Sequence, residues 1–241
     1  MKRILITGAT SGIGEAVSRY YNENYADTGL VLIGRREEKL KELVNEFGPE
    51  NHYIAFDFCG DSDISQIFEQ CKKWGFKLDG MIHCAGTSID MPVRSLNMDD
   101  VRNMYQTCLF SFLELGKYFS KKKYSNEGSS IVTMSSYSTR IVNKGMIAYT
   151  GIKAAMEASL KVMAKELQSR KIRVNGVGPA YVKTPMVVDN VVMERIESGE
   201  WEQDFGIIPV EQVVYMIDFL MSNKAEYITG EIMYIPAGVR V

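Results

Sequence analysis

The sequence predicts a single doubly wound α/β domain, a parallel sheet with helices on both faces. Two observations carry this expectation. Short, almost continuous apolar runs alternate with helical patterns from one end of the 241 residues to the other, as strands buried on both faces and their crossover helices do. The first run, Lys2–Thr7, leads at once into Gly8-Ala9-Thr10-Ser11-Gly12-Ile13-Gly14 and then into a helical pattern with Ala16, Val17, Tyr20 and Tyr21. No linker, repeat or low-complexity tract divides the chain, so residues 1–241 are read as one domain with one sizeable core.

The first element also suggests a ligand. Strand, glycine turn and helix point backbone N–H groups and a helix N-terminus at a phosphate. Glycine is required where a side chain would block the approach of a pyrophosphate or of the helix to the sheet. The spacing is G-x-x-x-G-x-G, and Thr7 and Ser11 add hydroxyls to the loop. Leu30–Gly34 reads as the second strand, ending about 20 residues beyond Gly14, where a dinucleotide site selects its cofactor. Gly34-Arg35-Arg36 offers no acid for a ribose 2′-hydroxyl and two guanidinium groups suited to a 2′-phosphate, which favours NADP(H). The competing reading pairs these arginines with Glu37 and Glu38.

Glu37–Phe47 is then a charged helix with Leu40, Leu43, Val44 and Phe47 on one face, ended by Gly48-Pro49. His52–Phe56 is the third strand. Asp57 follows at its carboxyl end, placed to receive an adenine amino group beside Phe58 or, alternatively, to cap the helix from Ile64 onward together with Asp61 or Asp63. Gly80–Ile82 begins the fourth strand and runs into His83-Cys84-Ala85-Gly86, small residues that suit passage of a cofactor. His83 is more readily a packed residue than a base. Asn97 is expected to cap a long apolar helix from Val101 to about Lys121, buried or facing a second subunit, with Lys121-Lys122-Lys123 against its dipole.

Ile131–Met134 is the fifth strand and ends at Ser135-Ser136. A helix opens at Tyr149 and runs to about Gln168, placing Tyr149 and Lys153 one turn apart on one face. Ile172–Val177, a helix Val210–Met221 and a strand Glu231–Ile235 complete the sheet. Residues 186–208, within a lid of 181–208, read as an insertion over the site carrying Met186, Val187, Val188, Val191, Val192, Met193, Trp201 and Phe205.

Composition narrows the classes. A net charge of −2 gives no case for nucleic acid or an anionic membrane. There is no apolar run of 18 residues, and the expected location is cytoplasmic. Cys59, Cys71, Cys84 and Cys108 form neither a C-x-x-C pair nor a cluster with the two histidines, so neither a disulfide framework nor a metal site is expected.

A phenol is a poor acid–base group near neutrality, with a reference pKa of about 10, but an ammonium one turn away favours its ionised form. A serine hydroxyl beside it can hold a carbonyl oxygen. Ser136, Tyr149 and Lys153 therefore form a coherent set for reducing a ketone or oxidising a secondary alcohol by hydride transfer. Together with the glycine loop they resemble the short-chain dehydrogenase/reductases over essentially the whole chain. Thr7-Gly8-x-x-x-Gly12-x-Gly14 is similar to that family's cofactor loop, Asp57 to its adenine-side acid, and Ser136, Tyr149 and Lys153 to its catalytic serine, tyrosine and lysine. Ile172 through Pro179 and then Thr184 resemble the segment that cradles the nicotinamide, and Tyr227–Gly230 a motif near the C-terminus. The resemblance implies a Rossmann-type fold of seven parallel strands, a homodimer or homotetramer, and a further role for Lys153 on the nicotinamide ribose. Gly34 and Arg35 look like the NADP-preferring members, and 3-oxoacyl-thioester reductases are the family-level analogy for substrate, with sugar, polyketide-like and quinone substrates left open.

Three departures stand out. Cys108, or Thr107 if the alignment slips, falls where the family's catalytic tetrad has asparagine; His83-Cys84 replaces an asparagine pair; and Ala180 replaces the glycine after Pro179. They motivate the alternative of an NADP(H)-binding sensor or scaffold with weak or no catalysis.

Overall fold

The computed structural model describes residues 1–60, 63–141, 143–188, 198 and 203–239. Seven strands lie in one parallel sheet: β1 (Lys2–Thr7), β2 (Thr28–Gly34), β3 (His52–Ala55), β4 (Leu78–His83), β5 (Ser125–Met134), β6 (Arg173–Pro179) and β7 (Ile232–Ile235). Their spatial order is β3-β2-β1-β4-β5-β6-β7. The chain therefore winds outward from β1 in one direction and then, at β4, in the other. β1 and β4 flank the topological switch point, where open α/β sheets place their ligand crevice.

Side chains on β1 alternate as a two-sided buried strand requires. Leu5 joins a cluster with Met81, Ile131, Phe68, Phe112, Phe119 and Met156. Ile4 and Ile6 face the other way, toward Val17, Leu40, Leu43, Val213 and Ile217. The first layer is built by α3 (Ser65–Lys73), α4 (Met98–Tyr105), α5 (Ser111–Phe119) and α6 (Ile147–Glu166). The second is built by α1 (Gly12–Asn24), α2 (Glu37–Phe47) and, after a single turn α7 (Pro185–Val188), by α8 (Val210–Met221).

Several boundaries differ from expectation. The long helix starts earlier, at Met98, where Asn97 Oδ1 accepts the Asp99 N–H, and it is interrupted by a π-helical turn over Gln106–Phe110. Its lysine run lies beyond the end of α5; Lys123 instead pairs with Glu69 at 2.9 Å. β5 begins six residues earlier than its apolar run because Ser125 pairs with Leu78 before a register shift brings Ser130 opposite Gly80. At α3 it is Asp63, not Asp57, that accepts a helix-start amide, that of Ser65; Asp57 Oδ1 accepts the Cys59 N–H instead, and Asp61 lies outside the described residues.

The ends of the 181–208 segment are stitched together. Val182 and Ile208 form a parallel bridge. Buried Gln203 donates to the carbonyls of Tyr181 and Gly206 and accepts the Tyr181 N–H. Of the apolar residues expected over the site, Phe205 is exposed. Val191, Val192, Met193, Trp201 and the Val188 side chain lie outside the described residues.

Backbone approaches backbone closely at the turn after β1. Gly8 has φ +68°, and a Cβ there would sit 2.9 Å from the backbone of Cys84 and Ala85 at the end of β4. A Cβ on Gly14, in the first turn of α1, would overlap the Gly8 carbonyl. Gly14→Ala is expected to destabilise the chain by about 1–3 kcal/mol, the usual cost of overpacking. Gly151→Ala, on an open face of α6 with no foreign atom nearer than 3.6 Å, is expected to be neutral or stabilising. Urea unfolding midpoints of the two variants check the contrast.

Candidate active site

The glycine turn opens into a cleft of about 840 Å³ at the carboxyl ends of the central strands. Gly8, Ser11, Gly12, Ile13 and Gly14 form one wall, with Thr184 close against Gly12. Asp57 and Phe58 stand at one end, although the Phe58 ring itself is buried beside Phe56. Cys84, Ala85 and Gly86 line the floor. Ser11 is the extended N-cap of α1 and makes no side-chain capping bond, so the first-turn N–H groups and the hydroxyl remain for a ligand.

The two arginines have different roles. Arg36 donates to the Thr10 carbonyl at 2.6 Å and to its hydroxyl at 3.2 Å, bracing the glycine turn. Arg35 also borders the cleft, is exposed, and makes no ion pair or hydrogen bond among the described residues. Glu37 and Glu38 pair with Lys41 and not with either arginine. A glycine-walled cradle and an open helix N-terminus together fit the pyrophosphate of a nicotinamide dinucleotide.

The second group of predicted residues gathers where β5 ends. Lys153 is buried, and its Nζ donates to the Met134 carbonyl at 2.7 Å. One turn back, the Tyr149 ring centroid lies 5.5 Å from Nζ. An ammonium has three donors, and only one is used among the described residues. Two residues beyond Met134, Ser136 Oγ accepts the Ser138 N–H at 3.2 Å; with its oxygen so engaged, the hydroxyl proton is left to donate. Pro179 ends β6, and its neighbour Ala180 is bonded to Ile235.

His83 is fully enclosed and makes no approach to the cleft. The Ala85 N–H donates to Thr7 Oγ1, whose hydroxyl reaches His83 Nδ1 at 2.9 Å, while Nε2 lies 3.2 Å from the Cys108 carbonyl. Since a carbonyl only accepts, the network assigns the proton to Nε2 and leaves Nδ1 as acceptor, the neutral imidazole. Burial pushes its pKa down to about 3, assisted by the Lys153 charge and opposed by the Cys108 carbonyl. Cys108 itself is buried in the π-helical turn, its Sγ 3.7 Å from the Thr87 carbonyl. Thr107 lines the cleft, its hydroxyl donating to Asn103. Burial pushes the Cys84 thiol up to about 12, so it remains a neutral thiol.

Sequence reasoning passed over two groups. Thr10 was not singled out, although it is the partner that occupies Arg36. Glu157 was missed although it repeats the four-residue interval of Tyr149 and Lys153 along α6.

The cradle lies at the carboxyl ends of the central strands, and the Tyr149–Lys153 pair of α6 and Ser136 lie just beyond the end of β5. The family described as enoyl-(acyl carrier protein) reductase matches residues 8–240. A 3-oxoacyl-[acyl-carrier-protein] reductase of Aquifex aeolicus is 28% identical over 98% of this chain and 96% of its own. Among solved structures, a short-chain dehydrogenase/reductase of the glucose/ribitol dehydrogenase type from Brucella melitensis superposes with a TM-score of 0.89 at 23% identity, covering 100% of this chain and 97% of that one. A 3-ketoacyl-(acyl-carrier-protein) reductase from the same organism, complexed with NADH, gives 0.83 at 20% identity over 98% and 97%. The chain belongs to the short-chain dehydrogenase/reductase family. It is an oxidoreductase of that family with the Rossmann-type fold.

The buried imidazole has a measurable consequence. His83 binds a proton less tightly in the native state than in the unfolded chain, so stability is lost as pH falls below the unfolded value of about 6.5. His52, lowered mainly by burial, acts in the same direction. Between about pH 7 and about pH 5, His83 alone is expected to remove about 2 kcal/mol. Urea unfolding at both pH values should show that His83→Asn loses correspondingly less than the wild type over this interval.

Proposed function

We propose that the protein is an NADPH-dependent oxidoreductase that interconverts a ketone and a secondary alcohol, with Tyr149 as the acid–base group. The observation that supports this best is the anchoring of Lys153 to the Met134 carbonyl. That bond fixes α6 against the end of β5, so the phenol of Tyr149 and the hydroxyl of Ser136 belong to one rigid corner. A bound nicotinamide supplies the hydride. Ser136 donates a hydrogen bond to the substrate oxygen and orients it. Tyr149 gives that oxygen its proton in reduction and takes it back in oxidation. Lys153 keeps a positive charge beside the phenol and offers its remaining donors to the nicotinamide ribose. Gly8, Gly12, Gly14, Ser11, Ile13 and Thr7 hold the pyrophosphate side, Asp57 the adenine amino group, and Cys84, Ala85, Gly86, Pro179 and Thr184 the nicotinamide side.

The preference for NADPH rests on Arg35. Among the described residues its guanidinium has no partner, where Arg36 is committed to Thr10, and the end of β2 carries no acid that would repel a 2′-phosphate. We assign Thr184, Pro185 and Met186, the described part of the 181–208 segment that borders the cleft, to the cover of the substrate site. Phe110, Leu113 and Val162, exposed on the helical layer of α4 to α6, support a second copy of the chain as partner in a homodimer or homotetramer. We place the protein in the cytoplasm. Cys108 does not take part in proton transfer in this reading, because its buried thiol is a weak donor directed at the Thr87 carbonyl.

Two measurements test the proposal. Fluorescence titration should give tighter binding of NADPH than of NADH, and Arg35→Ala should weaken NADPH by about ten- to a hundredfold, the worth of a charge-assisted hydrogen bond, while leaving NADH unchanged. Equal binding of both cofactors by the wild type would remove the arginine argument. Tyr149→Phe should lower turnover of a responsive carbonyl by about 10²-fold or more with NADPH affinity retained. Turnover persisting at the wild-type level would remove Tyr149 as the acid. NADPH binding without oxidation against a broad carbonyl panel would favour a sensor or scaffold.

A further inference from the structure

The row that begins with Tyr149 and Lys153 continues one turn further to Glu157. A single carboxylate oxygen of that residue, Oε1, collects three hydroxyls. Ser135 donates to it from the end of β5. Thr139 approaches at 2.8 Å from the end of the short turn 137–139, and Tyr234 donates at 2.8 Å from β7. Ser135 and Thr139 bracket Ser136. Thr139 has one proton to share between Glu157 and the Ser136 carbonyl, 3.0 Å away; the charged acceptor is the stronger of the two. Tyr234 is held in turn by the Arg140 guanidinium, which lies 4.5 Å over its ring. The segment carrying Ser136 is thus gripped at both ends by one charge on the helix that carries Tyr149.

We propose that Glu157 is the positioning residue for Ser136: its carboxylate grips the 135–139 segment from α6 and sets the Ser136 hydroxyl relative to Tyr149. The inference rests on the reading of Ser136 as the hydrogen-bond donor to the substrate oxygen. Glu157 does not line the cleft, and in this reading its effect passes through Ser136 alone. Misplacing a catalytic donor by about 1 Å costs on the order of a hundredfold in rate, so a loosened turn is expected to lower kcat while cofactor affinity holds.

The test combines hydrogen exchange with a double-mutant cycle on the full chain. In Glu157→Ala, amides of residues 138–141 are expected to exchange faster than in the wild type, with those of α1 unchanged. The kcat for a responsive carbonyl should fall about ten- to a hundredfold, with KM for NADPH unaltered. The same substitution made in a Ser136→Ala background should cost nothing more. Glu157→Gln, which retains an acceptor oxygen in place, should recover most of the loss. Should the alanine variant not fold, Glu157→Asp keeps the charge but withdraws it from the hydroxyls, and the same faster exchange is expected. Unchanged exchange in a folded Ala or Asp variant overturns the proposal, as does an equal loss of kcat in the Ser136→Ala background. Faster exchange alongside a fully active Ser136→Ala variant overturns the role of Ser136 in the proposed function and leaves the grip itself supported.

Discussion

The close approach of the turn after β1 to the end of β4 is the constraint on which the rest of this structure depends. At the switch point the two strands diverge into opposite halves of the sheet, and the chain has room there for backbone but not for Cβ atoms. Gly8 meets Cys84 and Ala85, and Gly14 lets α1 start directly on the Gly8 carbonyl. Thr7 closes the contact from below, accepting the Ala85 amide through its hydroxyl and the Cys84 amide through its carbonyl. The cradle is therefore a consequence of the sheet's topology made usable by three small residues. Its open helix N-terminus follows from the same geometry, because Ser11 is extended and makes no capping bond.

From Thr7 the constraint passes to the far side of the cleft. The Thr7 hydroxyl is shared with His83, and His83 reaches the Cys108 carbonyl inside the π-helical turn. A π-helical turn offsets the regular carbonyl ladder of a helix, and here an imidazole from β4 supplies a donor to that region. Cys108 has no amide with which to tie the helix to the strand, and its thiol is a weak donor. His83 does the tying from the opposite side. The histidine on β4 and the main chain at Cys108 on the helix are thus two halves of one contact. Read singly from the sequence, His83 and Cys108 each looked like damage to the catalytic machinery.

What was legible in the sequence was whatever rests on local periodicity and on small residues. The α8 boundaries Val210–Met221 follow from its apolar spacing alone, and the parallel sheet follows from runs such as Leu30–Gly34 that are apolar on both faces. The start of β5 was not legible, because Ser125 to Ser130 has no strand-like pattern and is held by a register shift against β4. The π-helical turn was invisible for a related reason: a helix with one inserted residue still reads as apolar all round. Arg35 and Arg36 are chemically equal in sequence. Only the position of the Thr10 carbonyl commits one and frees the other. Glu157 lay in plain view at the interval already used for Tyr149 and Lys153, but its partners come from β5, a short turn and β7, far apart along the chain.

These long-range contacts also explain how a chain 28% identical to a reductase relative keeps a defined corner at the end of β5. A serine at the tip of a strand is held only as well as the segment that follows it. Here that segment is tied to α6 by a carboxylate and to β7 by a phenol, while Lys153 ties the same helix to the strand itself through Met134. Strand, turn and helix form a closed triangle of hydrogen bonds around Ser136. Such preorganisation matters because a donor fixed in advance costs no reorganisation when charge develops on the substrate oxygen. On the proposed reading, the three helical positions Tyr149, Lys153 and Glu157 divide the work: one exchanges the proton, one supplies the charge beside it, and one holds the opposing wall in register.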